Sequence, residues 1–188
     1  MPSNFHWQKP DHSWATGSIT EYGSVKLTDR EWKEFKIGQL FSIEQGKGRI
    51  DKDNMNDDSS LFPIATASTT NNCILGYSDE QEARIRVKNT ITIGRQTGVA
   101  FYQPRDYYET DNILILSSKM MSELSSLFIV AAFNNSTASK YSYGRVASIG
   151  KVKDEIISLP VDITGQPDYD FMEEYIKSLP YSLVIQEN

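Results

Sequence analysis

The 188-residue sequence predicts one mixed α/β domain built on a twisted, mainly antiparallel sheet with a few helices. Three observations carry this expectation. Short runs rich in β-branched and aromatic residues are separated by Gly, Asn, Asp and Pro. Apolar residues at helical spacing occur in only two segments. No strand-like run is followed by the Gly-x-Gly-x-x-Gly turn and helix of a dinucleotide-binding doubly wound sheet. The length suits a single domain, since compact domains run from about 100 to 200 residues.

Residues 1–27 are rich in Ser, Gly, Thr and His without sustained apolar periodicity, and read as a flexible lead or linker. The sequence places the domain at 28–182 and a short tail at 183–188. Order should begin near Trp32, where Trp32, Phe35, Ile37, Leu40 and Phe41 form the first apolar cluster. A Gly-Lys-Gly-Arg turn follows at Gly46 to Arg49, and Asp51 to Ser60 is a polar loop. Strands are predicted over Phe62–Ala67, Arg84–Ile93, Val99–Gln103 and Asn112–Leu116, with a tight turn at Lys88-Asn89 inside the second run. Met120, Leu124, Leu127, Phe128 and Ala131 predict a helix over Lys119–Asn135 with Ser118 as its N-cap. Glu155–Val161 reads as a strand. A second helix, Asp170–Leu179, places Phe171, Tyr175 and Leu179 on one face, with Asp170 and Glu173 at capping-box spacing and Pro180 limiting its extension.

Composition narrows the function. With 39% hydrophobic and 23% charged residues, the chain can build a core. Its longest wholly apolar run, Leu127 to Phe133, is far short of the roughly 20 residues of a spanning helix. Met1 to Asp11 is polar and broken by Pro2 and Pro10, unlike a secretory signal. One cysteine excludes internal disulfides and four-Cys or Cys/His zinc clusters, so a reducing cytoplasm is the expected setting, with no membrane partner. The net charge of −6 argues against bulk electrostatic coating of nucleic acid, but the charge is unevenly placed. Residues 154–188 hold eight acids and one base, leaving the rest at +1. Ala83 to Arg105 and Leu124 to Lys153 contain no acid at all. Folded together, they would give an acidic protein a basic face.

The sequence lacks the patterns of familiar catalytic apparatus. Gly46 and Gly48 lack the spacing and following Ser or Thr of a phosphate loop. The acidic loop from Asp51 has Asn56 and Phe62 where a calcium loop needs Gly and Glu. Asp29, Glu31 and Lys33 match a metal nuclease only superficially. No Gly-x-Ser-x-Gly elbow occurs, and His6 and His12 fall in the lead. Cys73 has no neighbouring histidine to activate it. There is no Asn-Pro-Pro-Tyr or Asp-Pro-Pro-Tyr segment to hold a flipped adenine. A binding protein without catalytic residues or metal ligands is expected.

Three segments suit polar recognition. In Ala67 to Tyr77, Thr70, Asn71 and Asn72 crowd donors and acceptors into one loop, equally the makeup of a solvated connection. In Gly94 to Gly98, two glycines bracket Arg95, Gln96 and Thr97, where Arg and Gln could read guanine and adenine. In Lys140 to Arg145, Tyr141 and Tyr143 alternate among Lys140 and Arg145, which could meet phosphates, although the same alternation fits an edge strand. Lys47 and Arg49 add two cations to this set, biased toward phosphates.

Taken in order, these segments resemble the target recognition domain of the specificity (S) subunit of type I restriction-modification systems, and of related type IIB recognition subunits. The landmarks run from Trp32–Phe41 and Gln45–Gly48 through Pro63-Ile64, Thr70–Asn72, Gly76-Tyr77, Asn89–Gly94 and Thr110–Asn112. They continue through Lys140–Arg145, Ile156–Pro160 and Gly165–Asp168 to Tyr175–Ser182. The resemblance implies a noncatalytic DNA reader that recognises half of a bipartite target and docks an N6-adenine methyltransferase subunit, which would itself bind S-adenosylmethionine. It also implies a motor-nuclease subunit as a partner in type I complexes, and a second recognition domain. The long heptad helices that join paired domains in that family are missing from this sequence, as expected of a half-subunit or a piece of a longer polypeptide. An alternative is a protein-interaction or regulatory module that keeps the fold without binding DNA.

Overall fold

The structure, a computed structural model, describes residues 25–180. The bulk of the expected lead, with His6 and His12, and the expected tail lie outside the described residues. Leu27–Asp29, at the expected start of the domain, forms one 3-10 turn.

Among the described residues, ten strands and four α-helices follow in mixed order. They are β1 (Glu31–Lys36), α1 (Ile37–Leu40), β2 (Ser42–Gln45), β3 (Phe62–Ala65), β4 (Ile74–Ser78), β5 (Ile85–Arg86), β6 (Thr90–Gly94) and β7 (Ala100–Gln103). Then come β8 (Tyr107–Glu109), β9 (Ile113–Ser117), α2 (Glu123–Thr137), α3 (Ile149–Asp154), β10 (Ile156–Val161) and α4 (Tyr169–Ser178). The mixed α/β class and mainly antiparallel pairing are as the sequence predicts, but the strands divide among three sheets. The central sheet has the order β2-β9-β6-β7, all antiparallel. A second, β4-β3-β8-β5, contains the one parallel pair among the described strands, β3 with β8. The third is the ribbon of β1 with β10.

The central sheet organises the core because its two faces carry apolar side chains to different neighbours. Ile91 and Leu116 are register partners, as are Ile93 and Leu114, so these four share a face. That face packs on Phe128, Ile129 and Phe133 of α2, beyond which lie Ile157 and Leu159 of β10 and Met172 and Ile176 of α4. The opposite face presents Ile113 and Ile115 to Ala65 and Tyr107 of the second sheet and to Cys73 in the turn just before β4. The acidic C-terminal helix is therefore a packing element on its inner side.

Several local expectations shift. The turn expected at Lys88-Asn89 forms, with Asn89 at φ 60°, but the halves of the Arg84–Ile93 run on either side of it, β5 and β6, enter different sheets. The N-cap of α2 is Ser122, not Ser118: its side chain accepts from the Ser125 N–H, while Ser125 bonds back to the Ser122 N–H at 2.9 Å. The α4 cap is Asp168 rather than Asp170, accepting from the Phe171 N–H at 2.9 Å. The Ala67–Tyr77 loop is interrupted by β4.

Candidate nucleic-acid interface

One end of the central sheet gathers five connections. They are the segment after β2 from Gly46 to Arg49, the β3–β4 connection, the β6–β7 turn, the β8–β9 connection, and the α2–α3 connection through Tyr141 and Arg145. Backbone hydrogen bonds fasten them together. The Gly46 and Asp111 N–H groups donate to the Ile113 and Gly48 carbonyls at 3.1 and 2.9 Å. The Arg95 N–H donates to the Asn112 carbonyl at 2.9 Å, and the Ala147 N–H to the Arg95 carbonyl at 2.7 Å. Asn112 Nδ2 reaches Thr66 Oγ1 at 3.1 Å, and Thr110 Oγ1 donates to the Ala65 carbonyl at 2.8 Å. Two glycines permit this closeness. A Cβ at Gly48 would collide with the Glu109 carbonyl, and one at Gly98, which has φ +68°, with the Tyr141 side chain.

The expected recognition residues have different fates within this cluster. Arg95 points inward: Nη1 and Nε donate to the Asp111 and Ala147 carbonyls, both at 3.4 Å, so it links three connections. Gln96 and Thr97 are half-buried beside it, and Gln96 Oε1 is enclosed without a hydrogen-bond partner. Asn71 and Asn72 adopt left-handed backbone, at φ 50° and 48°, and Cys73 follows at 59°. Asparagine tolerates that region better than most residues, and here each amide also braces it. Asn71 Nδ2 donates to the Ile74 carbonyl at 3.1 Å and Asn72 Nδ2 to the Tyr102 carbonyl at 3.0 Å. Thr70 is exposed, and its carbonyl accepts from the Cys73 N–H.

Tyr141 is buried, with its hydroxyl donating to Glu155 Oε1 at 2.7 Å. Burial, and after it the Glu155 carboxylate, pushes its phenol well above the ordinary value, so it remains a donor. Lys140 pairs with the other oxygen of the same carboxylate at 2.7 Å. Both residues therefore anchor the connection, whereas Tyr143 and Arg145 project from it, Tyr143 at 90% exposure. Lys47 and Arg49 are exposed and form no ion pair among the described residues. Arg49 lies in a cleft of about 350 Å³ with Asp51, Glu80 and Glu82, a poor neighbourhood for a phosphate.

The acid-free stretches do meet, through Arg95 with Ala147, Gly98 with Tyr141, and Ala100 with Asn134. Many of their cations are nevertheless held by the fold. Arg86 is buried between Glu109 and Glu44, Arg105 donates to the Ser59, Ser60 and Leu61 carbonyls, and Lys151 donates to the Val146 carbonyl. Arg84 was absent from the expected site set, yet it is exposed and contributes with Lys47 to the positive field at Glu44. Its signal in the sequence is the first position of a base in the acid-free stretch.

Among the described residues no group of three or more His, Cys, Asp or Glu side chains could hold a metal ion. Burial raises the Cys73 thiol above its ordinary value, the reverse of an activated nucleophile. No described helix is long and apolar enough to cross a membrane.

Residues 29–180 match the family described as the type I restriction modification DNA specificity domain. The type II restriction enzyme BgcI specificity subunit S.BcgI of Heyndrickxia coagulans is 28% identical over 98% of this chain, which spans 51% of that subunit. Two solved structures share the fold. The type I S subunit from M. genitalium superposes with a TM-score of 0.59 at 13% identity, over 87% of this chain and 41% of its own. The HsdS subunit from Thermoanaerobacter tengcongensis gives 0.51 at 14% identity, over 83% and 37%.

Proposed function

Since the chain belongs to the type I restriction modification DNA specificity domain family, we propose that it is a noncatalytic, sequence-specific reader of double-stranded DNA that recognises half of a bipartite target. It docks an N6-adenine methyltransferase subunit, which binds S-adenosylmethionine, and works in the cytoplasm with a second recognition domain and a motor-nuclease subunit. The chain spans about half the length of the curated relative it matches. The observation that carries the reading is the fastening of five connections at one end of the central sheet. A rigid framework presenting several short loops together can follow a groove and hold register on the phosphates.

Within that reading, Lys47, Arg84 and Arg145 supply phosphate contacts, because they are exposed cations without ion-pair partners among the described residues. Gln96 and Thr97, half-buried at the β6–β7 turn between the fastened connections, are the residues assigned to base edges. Arg95 orients the loops that carry them. The test is co-expression with a methyltransferase subunit followed by methylation mapping. A defined motif is expected, and Gln96→Ala or Thr97→Ala should change or relax it. An unaltered motif in both variants removes these two residues from base reading, and the lack of any motif overturns the function.

A further inference from the structure

Resting on the DNA-reading assignment above, we propose that Tyr143 is a stacking residue, whose ring enters a groove of duplex DNA and packs against a base step while Arg145 contacts the adjoining phosphate. Ser142 and Arg145 exchange both backbone hydrogen bonds, the Ser142 N–H to the Arg145 carbonyl at 3.3 Å and the Arg145 N–H to the Ser142 carbonyl at 3.0 Å. They thereby close a two-residue turn with Tyr143-Gly144 at its tip. Tyr143 is 90% exposed, and the space around the Gly144 Cα is empty to 4 Å on the side a Cβ would occupy. The tip thus stands clear of the fold.

Its base is held firmly. Tyr141 seals one side against Gly98 and Glu155, and the reciprocal bonds of Arg95 and Ala147 fix the other. Rigid placement lowers the ordering cost of binding, and an aromatic ring offers a large apolar area with few torsions to freeze. Wedging such a ring against a base step partly unstacks it, so the step's own deformability becomes part of what is read. The connection carries no carboxylate of its own, and Glu155, just past α3, is already taken by Lys140 and Tyr141, so Arg145 has no ion-pair partner among the described residues.

The measurement uses the full chain and duplexes containing its mapped target, with 2-aminopurine at successive positions. Wild type is expected to brighten the probe at one step. Tyr143→Ala should abolish that signal and weaken binding about tenfold, while Tyr143→Phe retains both because the ring, not the hydroxyl, makes the contact. Since the Tyr143 side chain is 90% exposed, denaturation midpoints should not move. An Ala variant that binds and brightens like wild type overturns the inference, as does a Phe variant as defective as Ala, which would mark a hydroxyl contact. If Lys47→Gln and Arg145→Gln weaken binding while Tyr143→Ala is silent, DNA reading stands and stacking falls. If wild type itself binds no duplex, both fall.

Discussion

Arg86 shows how a single side chain joins parts of this fold that are remote in sequence. Its Nε donates to Glu109 at 2.7 Å, and its two terminal nitrogens each reach a Glu44 oxygen at 3.1 Å, linking β5, β8 and β2. Glu109 is fully buried, its second oxygen has no hydrogen-bond partner among the described residues, and Arg86 is its ion-pair partner. Arg86→Ala should therefore cost about 3–5 kcal/mol in chemical denaturation. The exposed end of the triad sets an acid response. Hydrogen bonds from Arg86 hold the Glu44 carboxyl below the ordinary 4.5, so its contribution is present above that value and lost as pH falls through the lower, folded-state one. Acid titration of stability should show a loss in wild type that Glu44→Gln lacks. At Gly98, alanine must adopt φ +68° against the Tyr141 ring, and a destabilisation of roughly 1–2 kcal/mol or more is expected. The sequence puts Arg86 and Arg95 among the bases of an acid-free stretch, and nothing local distinguishes them from Arg84. Their partners stand far away at Glu44, Glu109, Asp111 and Ala147, so only the fold separates a structural arginine from one free for a ligand.

At the scale of elements, helix starts depend on single side chains. Ser122→Ala removes one cap of α2 and should lower stability by about 1 kcal/mol. Asp168→Ala should cost more in thermal melts, because Asp168 both caps α4 through Oδ1 and pairs with Arg30 through Oδ2 at 2.8 Å. Both helices were legible from their apolar spacing, but each has a second plausible cap within four residues, which is why their starts moved. Strands β6, β7, β9 and β10 were legible because their β-branched runs lie between clear turn residues. Strand β1 was not: five of its six residues are exposed, so no alternation of burial is written into Glu-Trp-Lys-Glu-Phe-Lys. Strand β8 is three residues long and fully buried with a glutamate in it, a pattern that only the distant Arg86 makes tolerable. The candidate site was legible as segments, since glycine-flanked and Tyr-rich stretches do converge. Which members face outward was not, because that depends on partners such as Glu155.

For the whole molecule, an overall charge of −6 coexists with an end of the sheet where the exposed side chains Lys47, Arg84 and Arg145 lack ion-pair partners among the described residues. Binding through so few phosphate contacts should be modest and fall with salt. Lys47→Gln and Arg145→Gln should each reduce the slope of log affinity against log salt by about 0.9, measured by titrating the mapped duplex at several ionic strengths. An unchanged slope would place those cations away from the backbone. The β1–β10 ribbon bears on how the protein is made. Glu31 pairs with Val161 and Lys36 with Ile156, and the Ile37 N–H donates to the Glu155 carbonyl. During synthesis β1 emerges early, yet its partner leaves the ribosome on the order of ten seconds later at typical elongation rates. Its charged, exposed sequence lets that strand wait in water without sticking to other nascent chains, and the ribbon closes only when nearly the whole domain has been translated.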